Sequence, residues 1–190
     1  DGCAFEDQDL DSGRLRSLGE RTFYPRTARE LIAQRIGEAP IAFTNKCVID
    51  QKVMDACPNL KFIGVFATGY NTIDVEYAAQ KGIVVCNAPD YSTDAVAQHV
   101  FALILHFYNR AALHDQSVHA GDWSRCPDFF YAKAPLLELA DKTIGLIGFG
   151  NIGRRVAQIA RAFSMNALVY TRTPGPEPAD GSLRFAPLET

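Results

Sequence analysis

Apolar residues along the chain fall in short continuous runs that alternate with stretches of helical spacing. The runs predict three strands in the first half of the chain, at residues 40–44, 61–66 and 83–86. Helical spacing predicts helices at residues 27–36, 49–56 and 72–82. The last of these helices begins at Thr72 and ends at Gly82. Strands that alternate with helices favour a parallel sheet, and therefore an α/β fold.

The second half of the chain opens with a longer helical pattern. Helical spacing over residues 92–121 predicts a single helix, with Ser92 or Thr93 as its N-cap. Its most apolar stretch, HVFALILHFY, predicts a helix buried in the core. Residues 122–140 have no periodicity and several aromatic side chains, so we expect an irregular segment there.

The stretch TIGLIGFGNIGRRVAQIARAF then passes from a strand to a helix through three glycines. The apolar run, which includes Ile147, predicts a strand buried on both faces. The glycines have the spacing G-x-G-x-x-G and are Gly148, Gly150 and Gly153. In a dinucleotide-binding turn they permit the reversal, the approach of the pyrophosphate and close helix–strand packing. Backbone N–H groups near Asn151 and Ile152 would face the phosphate, so we predict a dinucleotide site rather than a plain turn.

The next strand, predicted at 167–170, ends at three residues that bear on the choice of cofactor: Thr171, Arg172 and Thr173. A Rossmann strand usually ends here in an acidic residue that binds the adenosine ribose of NAD. No carboxylate stands at these positions. Thr171 has no charge to repel a 2′-phosphate, and Arg172 could pair with one. The residues therefore favour NADPH, or the use of both cofactors; an arginine in an ordinary loop is the other interpretation.

Composition and charge narrow the class of protein further. The formal charge of −3 gives no support for a nucleic-acid surface. No apolar run approaches the ~18–20 residues that span a membrane, and the charged start is unlike a signal peptide. Five cysteines without CxxC pairs or metal-ligand spacing favour reduced thiols in the cytoplasm: Cys3, Cys47, Cys57, Cys86 and Cys126. We therefore expect a cytoplasmic protein with no metal site, nucleic acid or membrane partner.

Three ordered motifs resemble the D-isomer-specific 2-hydroxyacid dehydrogenases, most closely the glycerate dehydrogenase/hydroxypyruvate reductase branch. They are FATGYNTIDVEYAAQKGIVVCNAPDYSTDAVAQH, SRCPDFFYAKAPLLELADKTIGLIGFGNIGR and LVYTRTP. The resemblance covers residues 40–174 and departs from the family at Gln98, where a glutamate is usual. It implies the N-terminal part of a flavodoxin-like substrate domain over 1–89. The first part of a Rossmann NAD(P)-binding domain would follow over 90–190.

The resemblance also implies the substrate and its site. The loop Ala67, Thr68 and Gly69 would offer backbone N–H groups to a substrate carboxylate, since a glycine loop after a strand forms an anion-binding concavity. A plain strand-to-helix turn is the alternative. Thr68 would also lie near the nicotinamide, and Thr93 and Val96 near the cofactor. The reaction would be reduction of hydroxypyruvate or glyoxylate by NAD(P)H to D-glycerate or glycolate.

The family's catalytic arginine, glutamate and histidine belong to motifs that we expect after Thr190, so we assign no catalytic residue in these 190 residues. Too few elements follow the glycine turn for a whole Rossmann sheet, and the chain opens where a strand would just have ended. We therefore expect a fragment of a longer protein. We expect the histidines of the chain to pack in the fold or to face solvent rather than to catalyse: His99, His106, His114 and His119. We expect three arginines to be charges on helix surfaces: Arg110, Arg154 and Arg155.

Residues 97–134 resemble the region through which these dehydrogenases form two-fold dimers. Its aromatic residues Trp123, Phe129, Phe130 and Tyr131 favour an interface, with a local core cluster as the alternative. Trp123 is the candidate to reach the partner's active site. Two other functions stay open: a non-catalytic NAD(H)-binding regulator of the same family, and a short module that only dimerises.

Overall fold

The computed structural model describes residues 13, 17 and 19–189, so Cys3 lies outside the described part of the chain. The chain divides into two compact units, one ending at Tyr91 and the other beginning at Ser92. Each unit contains its own parallel three-stranded sheet. The predicted α/β architecture is therefore confirmed.

The sheet of the first unit has the order β1-β2-β3. Its strands are β1 (Ile41–Thr44), β2 (Phe62–Val65) and β3 (Val84–Asn87). Its helices are α1 (Ile32–Ile36, after a 3-10 turn at Arg29–Leu31), α2 (Gln51–Ala56) and α3 (Val75–Gln80). These elements confirm all three strands and all three helices predicted for this half, although most begin one to three residues later than expected.

Helix capping explains where two of these helices begin. The Asp50 carboxylate accepts a hydrogen bond from the Val53 N–H at 3.1 Å and so starts α2. The Asp74 carboxylate accepts from the Tyr77 N–H at 3.0 Å in the same way. An N-cap carboxylate satisfies an amide that the helix leaves without a partner. The predicted start of the third helix at Thr72 is therefore wrong.

The core of the first unit forms around the central strand. Ile63 on β2 is fully buried and packs with Met54, Ile49 and Ala78 from the surrounding helices and loops. The outer strands are less covered, since Phe43 on β1 and Val84 on β3 are exposed. The centre of the sheet is therefore fixed by packing, and the loop that follows β2 starts from a rigid strand.

The second unit contains four helices and a second parallel sheet of order β4-β5-β6. The helices are α4 (Thr93–Asn109), α5 (Ala111–His119), α6 (Asp122–Arg125) and α7 (Asn151–Ala162). The strands are β4 (Thr143–Ile147), β5 (Asn166–Tyr170) and β6 (Leu183–Phe185). The glycine turn lies between β4 and α7, as the motif predicts. Strand β6 is not predicted from the sequence.

The single helix predicted over 92–121 is wrong, because the structure has two helices there. Arg110 has φ 50° and ψ 35°, the left-handed conformation, and it separates α4 from α5. A right-handed helix cannot continue through such a residue. The same finding corrects the assignment of Arg110 as a helix-surface charge, since it is the residue between the helices.

Two expectations about burial are also wrong. Phe101 on α4 is buried against Val156 and Ala160 of α7, but Phe107 on the same helix is 64% exposed. The stretch HVFALILHFY therefore buries one face rather than its whole surface. Ile147 at the end of β4 is 80% exposed, so this strand is not covered on both faces within the described residues.

Candidate functional site

The glycine turn joins β4 to α7 in a conformation that two of its glycines make possible. Gly148 has φ +100°, a region that residues with a Cβ rarely adopt. Its N–H donates to the Tyr170 carbonyl at 2.8 Å, which holds the turn beside the end of β5. A Cβ added at Gly153 would overlap the Gly148 carbonyl oxygen. The third glycine therefore permits the close helix–strand approach that the motif predicts.

Gly150 differs from its neighbours because no protein atom requires a glycine there. Its φ of −76° and ψ of −161° suit any residue, and an added Cβ would meet no atom within 4 Å. Gly150 is the N-cap of α7, it provides no side-chain cap, and the first turn of α7 contains no acidic residue. The positive end of the helix dipole therefore faces open space at Gly150. These features fit a bound pyrophosphate.

The residues after β5 lie beside this turn, since the Tyr170 carbonyl binds the Gly148 N–H. Thr171 is half-buried, and Arg172 and Thr173 are exposed. The loop that follows carries two carboxylates, and both have other partners. Glu177 accepts from the Phe185 N–H of β6 at 2.7 Å. Asp180 accepts from the Ser182 hydroxyl at 2.6 Å and lies 2.5 Å from the Arg161 guanidinium.

The contacts of Glu177 and Asp180 keep their negative charges engaged with other residues. The bonds from Ser182, and the nearby Arg161 charge, lower the pKa of Asp180, so its charge is held within its own network. Neither this aspartate nor Glu177 takes the position of the acidic residue that binds the ribose of NAD. The described residues therefore present Thr171 and the Arg172 guanidinium at this end of the strand.

The start of α4 lies against the helix that follows the glycine turn. The Asp94 carboxylate accepts a hydrogen bond from Arg155 Nε of α7 at 2.6 Å. Thr93 and Val96 flank Asp94 in the same helical turn. Arg155 is exposed on α7, as predicted for a helix-surface charge, and it also forms an ion pair between two helices.

The predicted substrate loop follows β2 in the first unit and is tied to the end of β3. Asn87 Nδ2 donates to the Thr68 carbonyl at 2.8 Å, and the Ala88 N–H donates to the Ala67 carbonyl at 3.1 Å. The Thr68 hydroxyl donates to the Ala88 carbonyl at 3.2 Å. Thr68 and Gly69 are exposed. Sequence analysis did not identify Asn87; its position directly after an apolar run was the available signal.

The histidines have contacts that fit packing and solvated roles. His114 Nδ1 lies 3.0 Å from the Arg110 carbonyl, and its Nε2 accepts from the Lys133 N–H at 3.3 Å. His119 Nδ1 lies 3.0 Å from the Asp115 carbonyl. His99 and His106 are exposed. Among the residues that the structure describes, no group of three or more His, Cys, Asp or Glu side chains could hold a metal ion.

One carboxylate, that of Asp122, holds the aromatic segment (residues 122–140) against α5. Asp122 accepts from Lys133 Nζ at 2.6 Å, from the Ser117 hydroxyl at 2.7 Å and from Arg125 at 2.9 Å. These partners, Lys133 first and then Ser117, lower the pKa of Asp122 to about 2. The segment is thereby joined to α5 at its start and at Lys133.

The aromatic side chains of this segment divide into two kinds. Trp123 packs against Tyr131, with ring centroids 5.7 Å apart. Phe129 is 93% exposed and Phe130 is 70% exposed. A local core cluster is therefore wrong for these two phenylalanines, which leave a large apolar surface uncovered.

The fold and the turn together define the class of protein. Both units have helices with parallel sheets, as in a partial Rossmann/flavodoxin-like α/β fold. Helices of the described residues are too short or too polar to cross a lipid bilayer.

Comparison with known proteins identifies the family within this class. The family model described as D-isomer specific 2-hydroxyacid dehydrogenase, catalytic domain, matches residues 4–173. A hydroxypyruvate reductase from Blautia hydrogenotrophica is 40% identical over 192 residues, which cover 100% of this chain and 60% of that protein. A glyoxylate reductase from Pyrococcus furiosus is 43% identical over 126 residues, which cover 66% of this chain and 38% of that protein.

A solved structure supports the same assignment. The acyclic imino acid reductase Bsp5, in complex with NADPH and D-Arg, is 29% identical with a TM-score of 0.72. The similarity covers 92% of this chain and 55% of that one. The chain therefore belongs to the D-isomer specific 2-hydroxyacid dehydrogenase family of oxidoreductases, which confirms the predicted resemblance. It spans between about two fifths and three fifths of the length of the two curated relatives.

Proposed function

We propose that these residues bind the cofactor and the substrate carboxylate in an NAD(P)H-dependent reductase of 2-keto acids. The substrates would be hydroxypyruvate or glyoxylate, and the products D-glycerate or glycolate. The observation that carries the proposal is the glycine turn, in which Gly150 is open to a ligand while Gly153 is required by packing. The names of the two curated relatives support the choice of substrates.

In this proposal the first unit binds the substrate and the second binds the cofactor. Residues 1–89 would be the N-terminal part of the substrate domain, and 90–190 the first part of the cofactor domain. The pyrophosphate site would be formed by Gly148, Gly150, Asn151, Ile152 and Gly153. Thr171, Arg172 and Thr173 would bind the adenosine ribose. Thr93 and Val96 would lie near the cofactor, and Thr68 would lie near its nicotinamide. When bound, NAD(P)H supplies the hydride that reduces the keto carbon.

The substrate carboxylate would bind the backbone N–H groups of the loop Ala67, Thr68 and Gly69. Two or more such donors compensate the charge of a carboxylate without a cationic side chain in the loop itself. The loop is suited to this task because hydrogen bonds to Asn87 and Ala88 fix its conformation before a substrate arrives. A fixed loop loses little conformational freedom on binding.

We further propose that NADPH is the preferred cofactor. The support is the uncharged Thr171 and the exposed Arg172 at the end of β5, together with the engagement of Glu177 and Asp180 elsewhere. A carboxylate at the strand end would repel the 2′-phosphate, and none stands at residues 171–173.

The same proposal covers assembly and location. A homodimer through residues 97–134 is supported by the exposed Phe129 and Phe130, since large exposed apolar patches mark interaction sites. A cytoplasmic location is supported by three free thiols among the described residues: Cys57, Cys86 and Cys126.

The catalytic arginine, glutamate and histidine would lie outside these 190 residues, so the chain alone should bind cofactor without turnover. The test mixes the purified chain with NADPH and hydroxypyruvate and follows the absorbance of NADPH over time. Analytical ultracentrifugation of the same sample measures the mass of the protein. We expect a dimer and no consumption of NADPH, because general acid–base help alone is worth ~10²–10⁴-fold. Robust turnover would contradict the absence of the acid/base group and direct attention to His99 and His106. A protein that binds cofactor but lacks turnover even as a complete polypeptide would favour the regulatory alternative.

A further inference from the structure

Two carbonyl groups of the substrate loop, those of Ala67 and Thr68, point the same way. The Ala67 carbonyl accepts from the Ala88 N–H at 3.1 Å, and the Thr68 carbonyl accepts from Asn87 Nδ2 at 2.8 Å. Both donors lie at the end of β3 or just after it. Two consecutive peptide oxygens of the loop are therefore turned towards β3.

Peptide geometry then fixes the direction of the N–H groups. The described residues contain no cis peptide bond, and in a trans peptide the C=O and N–H bonds point in opposite directions. The N–H groups of Thr68 and Gly69 therefore both point away from β3. Thr68 and Gly69 are exposed, so these donors face a side that an anion can reach. Successive backbone N–H groups with a common direction form an anion-binding concavity.

We propose that Asn87 is a positioning residue for the substrate carboxylate, a role that rests on the proposed function of this loop. Its side-chain NH₂ is the donor that holds the Thr68 carbonyl, since an amide oxygen cannot bond to another carbonyl oxygen. Asn87 pairs with Val65 in the register of β2 and β3, and Ala67, the first residue of the loop, follows Val65 by two positions. The asparagine therefore reaches the loop from a strand whose position the sheet fixes.

Loss of this donor changes the loop at one peptide. Without the Asn87 amide, the peptide between Thr68 and Gly69 loses the bond that orients it and is free to rotate. Rotation would turn the Thr68 carbonyl dipole towards the carboxylate and the Gly69 N–H away from it. Asn87 itself does not touch the substrate in this arrangement; it acts through the backbone of Thr68.

The test is a titration of the ¹⁵N-labelled chain with glyoxylate, followed through the amide resonances of Thr68 and Gly69. Glycolaldehyde, which has no carboxylate, is the matched ligand. We expect glyoxylate, and not glycolaldehyde, to shift both amides of the wild type. Asn87→Ala should raise the Kd for glyoxylate about three- to tenfold, the range for loss of one hydrogen bond. Unchanged resonances of Ile63 and Val65 would show that the sheet is intact.

Paired variants separate positioning from a general loss of structure. Thr68→Val removes the hydroxyl that donates to the Ala88 carbonyl and should bind glyoxylate more weakly than the wild type. Asn59→Ala, a change at an asparagine before β2 whose amide donates to the Glu38 carboxylate, should leave the Kd unchanged. If glyoxylate shifts the two amides equally in the wild type and in Asn87→Ala, the role of Asn87 is wrong and the carboxylate site stands. If glyoxylate shifts neither amide in the wild type, the carboxylate site itself is wrong, and the role of Asn87 with it.

Discussion

At the scale of single residues, the proposed cofactor preference depends on the end of β5. The sequence alone shows that no carboxylate stands at 171–173. The structure adds that the two carboxylates of the next loop bind Phe185, Ser182 and Arg161 instead. It also shows that Arg172 is exposed, and exposed ion pairs are worth less than buried ones. If NADPH is preferred as proposed, both Thr171 and Arg172 should contribute to that preference.

Substitutions at these residues should alter the binding of adenosine 2′,5′-bisphosphate relative to 5′-AMP. Arg172→Ala should weaken binding of the bisphosphate by up to about fivefold, because an exposed charge pair is worth at most about 1 kcal/mol and 1.4 kcal/mol is tenfold. Thr171→Asp should weaken it further by repulsion, while 5′-AMP binding stays nearly unchanged. Calorimetric Kd values for both ligands measure the difference.

Arg184→Ala is the matched control, because it removes an exposed guanidinium from β6 in the same unit. Its Kd values should equal those of the wild type. Equal affinity of the wild type for the two ligands, together with no effect of Arg172→Ala, would show that the strand end does not bind phosphate.

At the scale of elements, the aromatic segment and α5 depend on the ionised Asp122. Three donors bind its carboxylate, and they lower its pKa to about 2 from the usual 3.8. A carboxyl with a lowered pKa in the folded protein stabilises the fold above its unfolded pKa and loses that contribution as the pH falls. The window for this group therefore lies between pH values of about 4 and about 2.

Trp123, the only tryptophan of the chain, reports this change because it adjoins Asp122 and packs against Tyr131. Between pH 4 and 2 its emission should shift to the red as Asp122 is protonated and the segment separates from α5. Asp122→Asn should show the shifted emission already at neutral pH. Circular dichroism at each pH separates this local change from global unfolding.

Asp115→Asn serves as the comparison, since it removes an exposed carboxylate of α5 that pairs with His119. Its emission should follow the wild type at every pH. An Asp122→Asn protein with wild-type emission at neutral pH would mean that the carboxylate does not hold the segment.

The elements also show what sequence patterns can and cannot predict. Runs such as the one that forms β2 are predictable because apolar residues continue across the whole strand. The break at Arg110 is not, because neither glycine nor proline marks the end of α4. Strand β6 has three residues with Arg184 in the middle, too few for a pattern. Its position comes from pairing with β5, which is a property of the folded sheet.

At the scale of the whole molecule, two kinds of site residue differ in how far sequence could predict them. The glycine turn is predictable because the G-x-G-x-x-G spacing places glycine where the backbone needs it. Gly148 has a positive φ, and Gly153 has no room for a Cβ. The role of Asn87 is not, because it acts on a backbone carbonyl that is 19 residues away in the chain. Contacts of that kind appear only when parallel strands bring their ends together.

The central claim is that the second unit binds a dinucleotide at the glycine turn. Calorimetric titration with NADPH tests it most directly, with the wild type, Gly150→Val and Gly145→Val compared. Both glycines are open to an added Cβ, so both variants should fold. Only the side chain at 150 would occupy the pyrophosphate position. We predict that Gly150→Val raises the Kd at least about tenfold, while Gly145→Val matches the wild type. Equal NADPH affinity of all three proteins would contradict the account.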